Sequence, residues 1–200
     1  MIKNVVFDIG RVLFDYQPED VVAALLPNRQ DQSFFVDYFH NAPVWQQLDA
    51  GDITPEEAAQ CVSALHKDDI YSDVIEIIEN FHLYLPPIEP MIQLYHSLLE
   101  THRVYLLTNF QDEPFDRLCN AYPFLEKAAG RVVSAREKCM KPDPKIYRIL
   151  LEQYALIPEK TLFIDDKSEN IDTAVALGIH GVVHRSCEKT IEEISSILSL

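Results

Sequence analysis

The chain has 200 residues, 48% hydrophobic and 24% charged, enough apolar material for one domain, or one domain with a small insertion, to bury a sizeable core. Its formal net charge of −15 leaves no basic footprint and argues against nucleic acid or an anionic membrane as partner, while a local cationic site can still attract a small anion. Four cysteines (Cys61, Cys119, Cys139, Cys187) lack CxxC spacing, and the first apolar run is too short for a signal or membrane segment, so reduced thiols in a soluble cytoplasmic protein are expected.

Residues 4–7, NVVF, are β-branched-rich and too few for a helix, so they read as a buried strand that ends at Asp8, with Gly10 two residues on. From 17 to about 101 no run reads as a strand. In SFFVDYFH, Phe35, Tyr38 and Phe39 stand at helical spacing and form a face that wants burial. In TPEEAAQ (54–60), Thr54 can cap, Pro55 suits the first helical position and Glu57 completes a capping box. LPPIEP (85–90) is a stiff return, and PMIQLYHSLL (90–99) reads as a helix leading back to the sheet. Residues 17–85 are therefore expected to be a helical insertion, with 1–16 and 86–200 forming the core.

After the insertion, VYLLT (104–108), RVVS (131–134), TLFID (161–165) and GVVH (181–184) read as further strands, with helical patterns at 111–121, 143–154, 168–177 and 188–199. This alternation predicts an α/β fold: a Rossmann-like parallel five-stranded sheet with helices on both faces and the helical cap inserted after the first strand.

In such a sheet the ligand crevice lies beyond the carboxyl ends of the strands. The residues delivered there are Asp8, then Thr108 and Asn109, then Asp165 and Asp166, with Lys141 in CMKPDPKIY between the third strand and its helix. Three carboxylates, a hydroxyl, an amide and an ammonium suit phosphoryl transfer. A carboxylate can accept the phosphoryl group, paired carboxylates can hold Mg²⁺, and the remaining groups can bind phosphate oxygens.

Four motifs, FDIG (7–10), LLTN (106–109), MKPDPKIY (140–147) and FIDDKSEN (163–170), resemble in order those of the haloacid dehalogenase superfamily, and they span almost the whole chain. WQQLDAGDIT (45–54) is similar to the helical cap of that family's sugar-phosphate phosphatases, and FDIGRVLFDY resembles its bacterial α-glucose-1-phosphate phosphatases. The resemblance implies a Mg²⁺-dependent phosphatase acting on a small phosphorylated substrate, as a monomer or homodimer. It implies Asp8 as nucleophile and metal ligand, the Gly10 carbonyl and Asp166 as further ligands, and Asp165 and Asn170 supporting the metal. Thr108 and the Asn109 backbone would hold phosphate, and Lys141 would neutralise both phosphate and Asp8.

Gly10 departs from the pattern, because the family usually has an aspartate there that protonates the leaving oxygen. Glycine offers its carbonyl but no proton, and it permits backbone angles by which the 10–11 peptide could approach a cation. Rates should then depend steeply on leaving-group pKa, unless Asp15 or a side chain of the cap supplies the proton. Other readings stay open. Asp165 and Asp166 could cap the helix near Ser168, Thr108 and Asn109 could simply end a strand, and Asp15 could be a structural hinge acid. Arg11 could reach substrate or pair with a surface acid, and Trp45 and Gln47 could line a specificity pocket or, for Trp45, pack in the core. The seven histidines show no metal-ligand spacing. Two alternative functions are a hydrolytic dehalogenase using the same aspartate, and a non-catalytic phosphometabolite-binding protein.

Overall fold

Strands β1 (Asn4–Phe7), β2 (Arg103–Thr108), β3 (Gly130–Val133), β4 (Thr161–Asp165) and β5 (His180–Val183) pair in parallel, in the order β3-β2-β1-β4-β5. This is a computed structural model, and it describes residues 1–37 and 42–199. The parallel sheet agrees with the alternation of strand and helix patterns, and each strand lies within one residue of its apolar run.

Between β1 and β2 the chain forms helices α1 (Pro18–Leu25), α2 (Gln32–Phe35), α3 (Pro43–Asp49), α4 (Pro55–Ser63) and α5 (Tyr71–Asn80), then a 3₁₀ turn at Phe81–Tyr84. α4 begins as its sequence predicts: the Thr54 hydroxyl accepts from the Glu57 N–H at 3.2 Å, and the Glu57 carboxylate accepts from the Thr54 N–H at 2.8 Å. Of the aromatic stripe, Phe35 is buried, whereas Tyr38 and Phe39 lie outside the described residues. Helices α6 (Glu89–Leu99), α7 (Asp112–Ala121), α8 (Ser134–Glu137), α9 (Pro144–Gln153), α10 (Ser168–Ala176) and α11 (Cys187–Leu198) complete the chain. Among the described residues no helix is long and apolar enough to cross a membrane.

The period-2 alternation of side chains divides the core in two. Val5, Phe7, Val104, Leu106, Leu162 and Ile164 pack on one face with α6, α7 and α11. Val6, Tyr105, Leu107, Val132 and Phe163 pack on the other with α9 and α10. Both faces of every central strand are therefore buried, which is why the strands read as unbroken apolar runs.

The insertion shares the first of these clusters. Trp45, Leu48, Val62, Val74 and Ile77 join it through Phe81, whose ring lies 5.2 Å from Phe110, which in turn lies 6.0 Å from Phe115. The two connecting segments are tied to each other, Asp15 N–H donating to Pro86 O at 2.9 Å and Ile88 N–H to Leu13 O at 2.8 Å. At the end of α3 the Ser134 hydroxyl donates to Asp49 O at 2.5 Å, and the Lys138 ammonium donates to Gly51 O.

Gly51 is left-handed (φ +68°), and a Cβ there would lie 2.5 Å from Ala135 O. Gly51→Ala meets both a backbone conformation unfavourable by about 1–2 kcal/mol and a clash with main chain. The expected result is a lower urea midpoint at unchanged slope. A midpoint equal to wild type would show that this contact does not hold the insertion to the core.

Candidate active site

The strand order reverses at β1: the chain runs outward through β2 and β3, then crosses back to β4 on the other side. Loops leaving β1 and β4 diverge there and open a crevice at the carboxyl edge. Asp8 directly follows β1, Asp165 ends β4 and Asp166 comes next. The three acids each offer an oxygen within 4.8 Å of the others.

Lys141 organises this edge. Its ammonium is buried and lies 2.8 Å from Asp8 Oδ1, 2.6 Å from Asp165 Oδ2 and 3.0 Å from Leu107 O. An ammonium has three N–H donors, so these contacts use all of them. Lys141 therefore stands here as counter-ion to Asp8 and Asp165. Burial pushes the Lys141 pKa down, but Asp8 and Asp165 more than reverse this and hold it above its ordinary value. Asp8 is pushed well up by burial, opposed by Lys141 and reinforced by Asp165 and Asp166. The contacts from Lys141 and the Ile9 N–H both fall on Asp8 Oδ1, leaving Oδ2 as the oxygen open to a reaction partner.

Asp165 and Asp166 divide their work. Asp165 is fully buried; its Oδ1 accepts from the Lys167 N–H at 2.9 Å and Asn170 Nδ2 at 2.8 Å, and its Oδ2 holds Lys141. It thus braces the residue preceding α10 and the lysine together. Asp166 is half-buried on the cavity wall, with its pKa raised by burial and then by Asp165. Asn170 keeps a buried Oδ1 with no hydrogen-bond partner. An unpaired carbonyl oxygen beside clustered carboxylates is an acceptor-only environment, which fits a hydrated divalent cation.

Asn109 clamps the lysine's backbone: its Nδ2 donates to Lys141 O at 2.9 Å, and its Oδ1 accepts from the Lys141 N–H at 2.8 Å. Its side chain is thereby committed to positioning Lys141. Thr108 is buried at the end of β2, and the cavity wall is formed by the next two residues, Asn109 and Phe110.

The cavity above these groups measures about 450 Å³, with an aromatic side of Tyr16, Trp45, Phe81 and Phe110. Arg11 lines it with φ +57°, donates from Nε to Tyr16 O at 3.2 Å, and pairs with no acid among the described residues. Trp45 fills both roles open to it, being 8% exposed, packed 5.0 Å from Phe81 and part of the wall. Gln47 is a correction. It lies outside the cavity wall, which Trp45, Asp49 and the equally exposed Gln46 line from α3, consecutive residues on a helix being 100° apart. Asp15 faces a separate cavity of about 520 Å³ beside the connectors, with Asp20 and Tyr122.

Gly10 also differs from expectation. Its backbone is not left-handed, and a Cβ built there meets nothing within 4 Å, so neither strain nor crowding requires glycine. The left-handed position is Arg11.

Asp49 and Lys167 were missed. Asp49 stands four residues after Trp45, a spacing that places both on one helical face, and Lys167 directly follows the acid pair.

A parallel sheet that gathers three acids around a buried lysine at its switch point, beneath a helical insertion, defines a Rossmann-like α/β enzyme with a carboxylate–lysine centre. The chain belongs to the haloacid dehalogenase-like hydrolase family, whose model matches residues 2–178. It is 28% identical over 184 residues to the sesquiterpene phosphatase astK of Aspergillus oryzae, covering 90% of this chain and 88% of that one. It is 25% identical over 189 residues to the D-ribitol-5-phosphate phosphatase of Bacteroides thetaiotaomicron, covering 89% of each. The crystal structure of a HAD family enzyme from Bacteroides thetaiotaomicron, in complex with magnesium and inorganic phosphate, superposes with a TM-score of 0.70 at 26% identity, covering 92% of this chain and 95% of that one.

Proposed function

We propose that this hydrolase is a Mg²⁺-dependent phosphatase that forms an aspartyl-phosphate on Asp8. The observation that carries the reading is Asp8 itself: one carboxylate oxygen held by Lys141 and a backbone N–H, the other open to a cavity that also contains Asp166. Asp8, the Gly10 carbonyl and Asp166 would hold the cation, with Asp165 and Asn170 supporting it. When bound, Mg²⁺ would supply positive charge to neutralise the phosphate. Asp8 Oδ2 attacks phosphorus, Lys141 favours the ionised form of the attacking carboxylate and orients it, and Asn109 holds Lys141 in place. Lys167 and Arg11, on the cavity wall, are the cations available to the phosphate oxygens.

The cavity volume suits a small phosphorylated metabolite. A sugar or polyol phosphate is our leading assignment, supported by the ribitol-5-phosphate phosphatase relative and the resemblance in residues 45–54. The aromatic side favours a second reading, an isoprenoid-type phosphate, in keeping with the sesquiterpene phosphatase relative. A dehalogenase fits less well, because clustered carboxylates repel a haloacid unless a cation is bound. A purely binding protein would leave the Asp8–Lys141–Asp165 arrangement without a purpose.

Purified protein is expected to hydrolyse an aryl phosphate with Mg²⁺ and to lose about 10³-fold in EDTA, the equivalent of several kcal/mol of charge stabilisation. A panel of aldose, polyol and prenyl phosphates, with a chlorinated two-carbon acid alongside, separates the readings. Release of chloride without release of phosphate would overturn the phosphatase assignment.

A further inference from the structure

The proposed chemistry lacks a proton source, and the structure narrows where one can come from. No side chain stands at Gly10. Asp8 is the nucleophile, Asp165 is fully occupied by Lys141, Lys167 and Asn170, and Asp166 is assigned to the cation. Asp15 opens onto the other cavity, and Glu169 is exposed at the rim. Among the described residues lining the cavity one acid remains: Asp49, at the end of α3, on the side that the insertion provides.

We propose that Asp49 is the general acid and base of this hydrolase, delivered from the insertion to the space left open by Gly10. The inference rests on the phosphatase reading above. As Asp8 Oδ2 bonds to phosphorus and the P–O bond to the leaving group breaks, the leaving oxygen takes the Asp49 proton and departs as an alcohol. In the second half, water attacks phosphorus, the Asp49 carboxylate takes the water proton, and the Asp8–phosphorus bond breaks to release phosphate. Both residues return to their starting state, and the sum is hydrolysis.

Three observations converge. Asp49 lines the cavity from a helix end whose backbone is held, its own carbonyl accepting from Ser134 at 2.5 Å and the Gly51 carbonyl accepting from Lys138, which ties the end of α3 to α8. Burial raises its pKa well above the ordinary carboxylate range, and the Asp8 charge adds to this; Gln111 and Lys167 oppose without cancelling it. Such a shift favours the protonated form, the form a general acid uses. The Gln111 amide, 4% exposed, lies beside Asp49, where its N–H can donate to the carboxylate formed when the proton leaves. The titratable groups facing Asp49 are Asp8 and Lys167 from the sheet edge and Tyr16 from the connector.

The test compares wild type with Asp49→Asn on an alkyl phosphate and on an activated aryl phosphate. A positioned general acid contributes about 10²–10⁴-fold, and it matters most when the leaving group is poor. In single-turnover experiments, which read the phosphorylation half alone, Asp49→Asn is therefore expected to lose about 10²–10⁴-fold on the alkyl substrate and at least tenfold less on the aryl substrate. Wild type then shows a shallow dependence on leaving-group pKa, and the variant a steep one. Thermal unfolding supplies a second readout. The folded pKa of Asp49 lies above the ordinary 3.8, so the stability it contributes is full below that value and is lost as pH rises toward the raised one. Asn carries no such loss, and at neutral pH the variant's Tm is expected to equal or exceed that of wild type. Equal losses on both substrates, or a lowered Tm, would assign Asp49 a structural role and overturn the proposal. Absence of phosphatase activity in wild type would instead overturn the reading on which it rests.

Discussion

Asp8→Asn is expected to reduce turnover by about 10⁴-fold or more, the scale on which a nucleophile that works as part of a unit fails when replaced. The amide keeps the shape of the carboxylate but cannot form a stable acyl phosphate. Its fold should survive, because Asp165 and the Leu107 carbonyl still hold the Lys141 ammonium at 2.6 and 3.0 Å. The measurement is twofold: steady-state hydrolysis, and mass spectrometry of rapidly quenched wild type with substrate. Wild type should gain one phosphoryl group on the peptide containing Asp8, and Asp8→Asn should gain none. Comparable turnover in the two proteins would remove Asp8 from the reaction and send the search for a nucleophile elsewhere in the cavity.

Exchanging the two neighbouring acids should give opposite phenotypes. Asp165→Ala removes a carboxylate that receives Lys141 at 2.6 Å, Asn170 at 2.8 Å and the Lys167 N–H at 2.9 Å, all without solvent. Breaking a buried ion pair by deleting one partner costs about 3–5 kcal/mol, because the other charge stays buried and uncompensated. For a chain of this size that is a fall in Tm of roughly 6–20 °C. Asp166 faces the cavity and holds no hydrogen bond among the described residues, so the Tm of Asp166→Ala should stay within a few degrees of wild type while the Mg²⁺ concentration needed for half-activation rises at least tenfold, as loss of a direct ligand would imply. Calorimetry and a Mg²⁺ titration on both variants decide this. Equal loss of stability in the two would show that the pair acts as one structural unit.

These two variants and Asp49→Asn describe a division of labour across the cavity. In the proposed mechanism the sheet edge supplies attack and charge neutralisation from buried, hydrogen-bonded groups, and the insertion supplies the proton from a helix end held to the core by Ser134 and Lys138. Strengthening or loosening that hold is expected to change rate through the proton step, leaving the nucleophile's surroundings intact.

The sequence by itself determined the sheet and its functional edge. NVVF, VYLLT and TLFID are β-branched-rich runs too short for helices, and in an open parallel sheet whatever follows such runs must lie at one edge, so Asp8, Asn109, Asp165 and Asp166 could be placed together from local pattern alone. The start of α4 was equally legible, because a capping box is complete within four residues. What only the tertiary structure decided depends on contacts between distant segments. Lys141 spends its donors on Asp8, Asp165 and Leu107, and Asn109 its amide on Lys141, so two groups that chemistry would assign to phosphate are bound to the protein. That Gln46 lines the cavity while Gln47 does not follows from how a short helix docks, and no local signal sets its rotation. Asp49 joins the site only because a hydroxyl 85 residues away receives its end of α3. Composition and spacing fix which residues a strand delivers to an edge; the fold of the whole chain fixes which of them still have a free hydrogen bond to give.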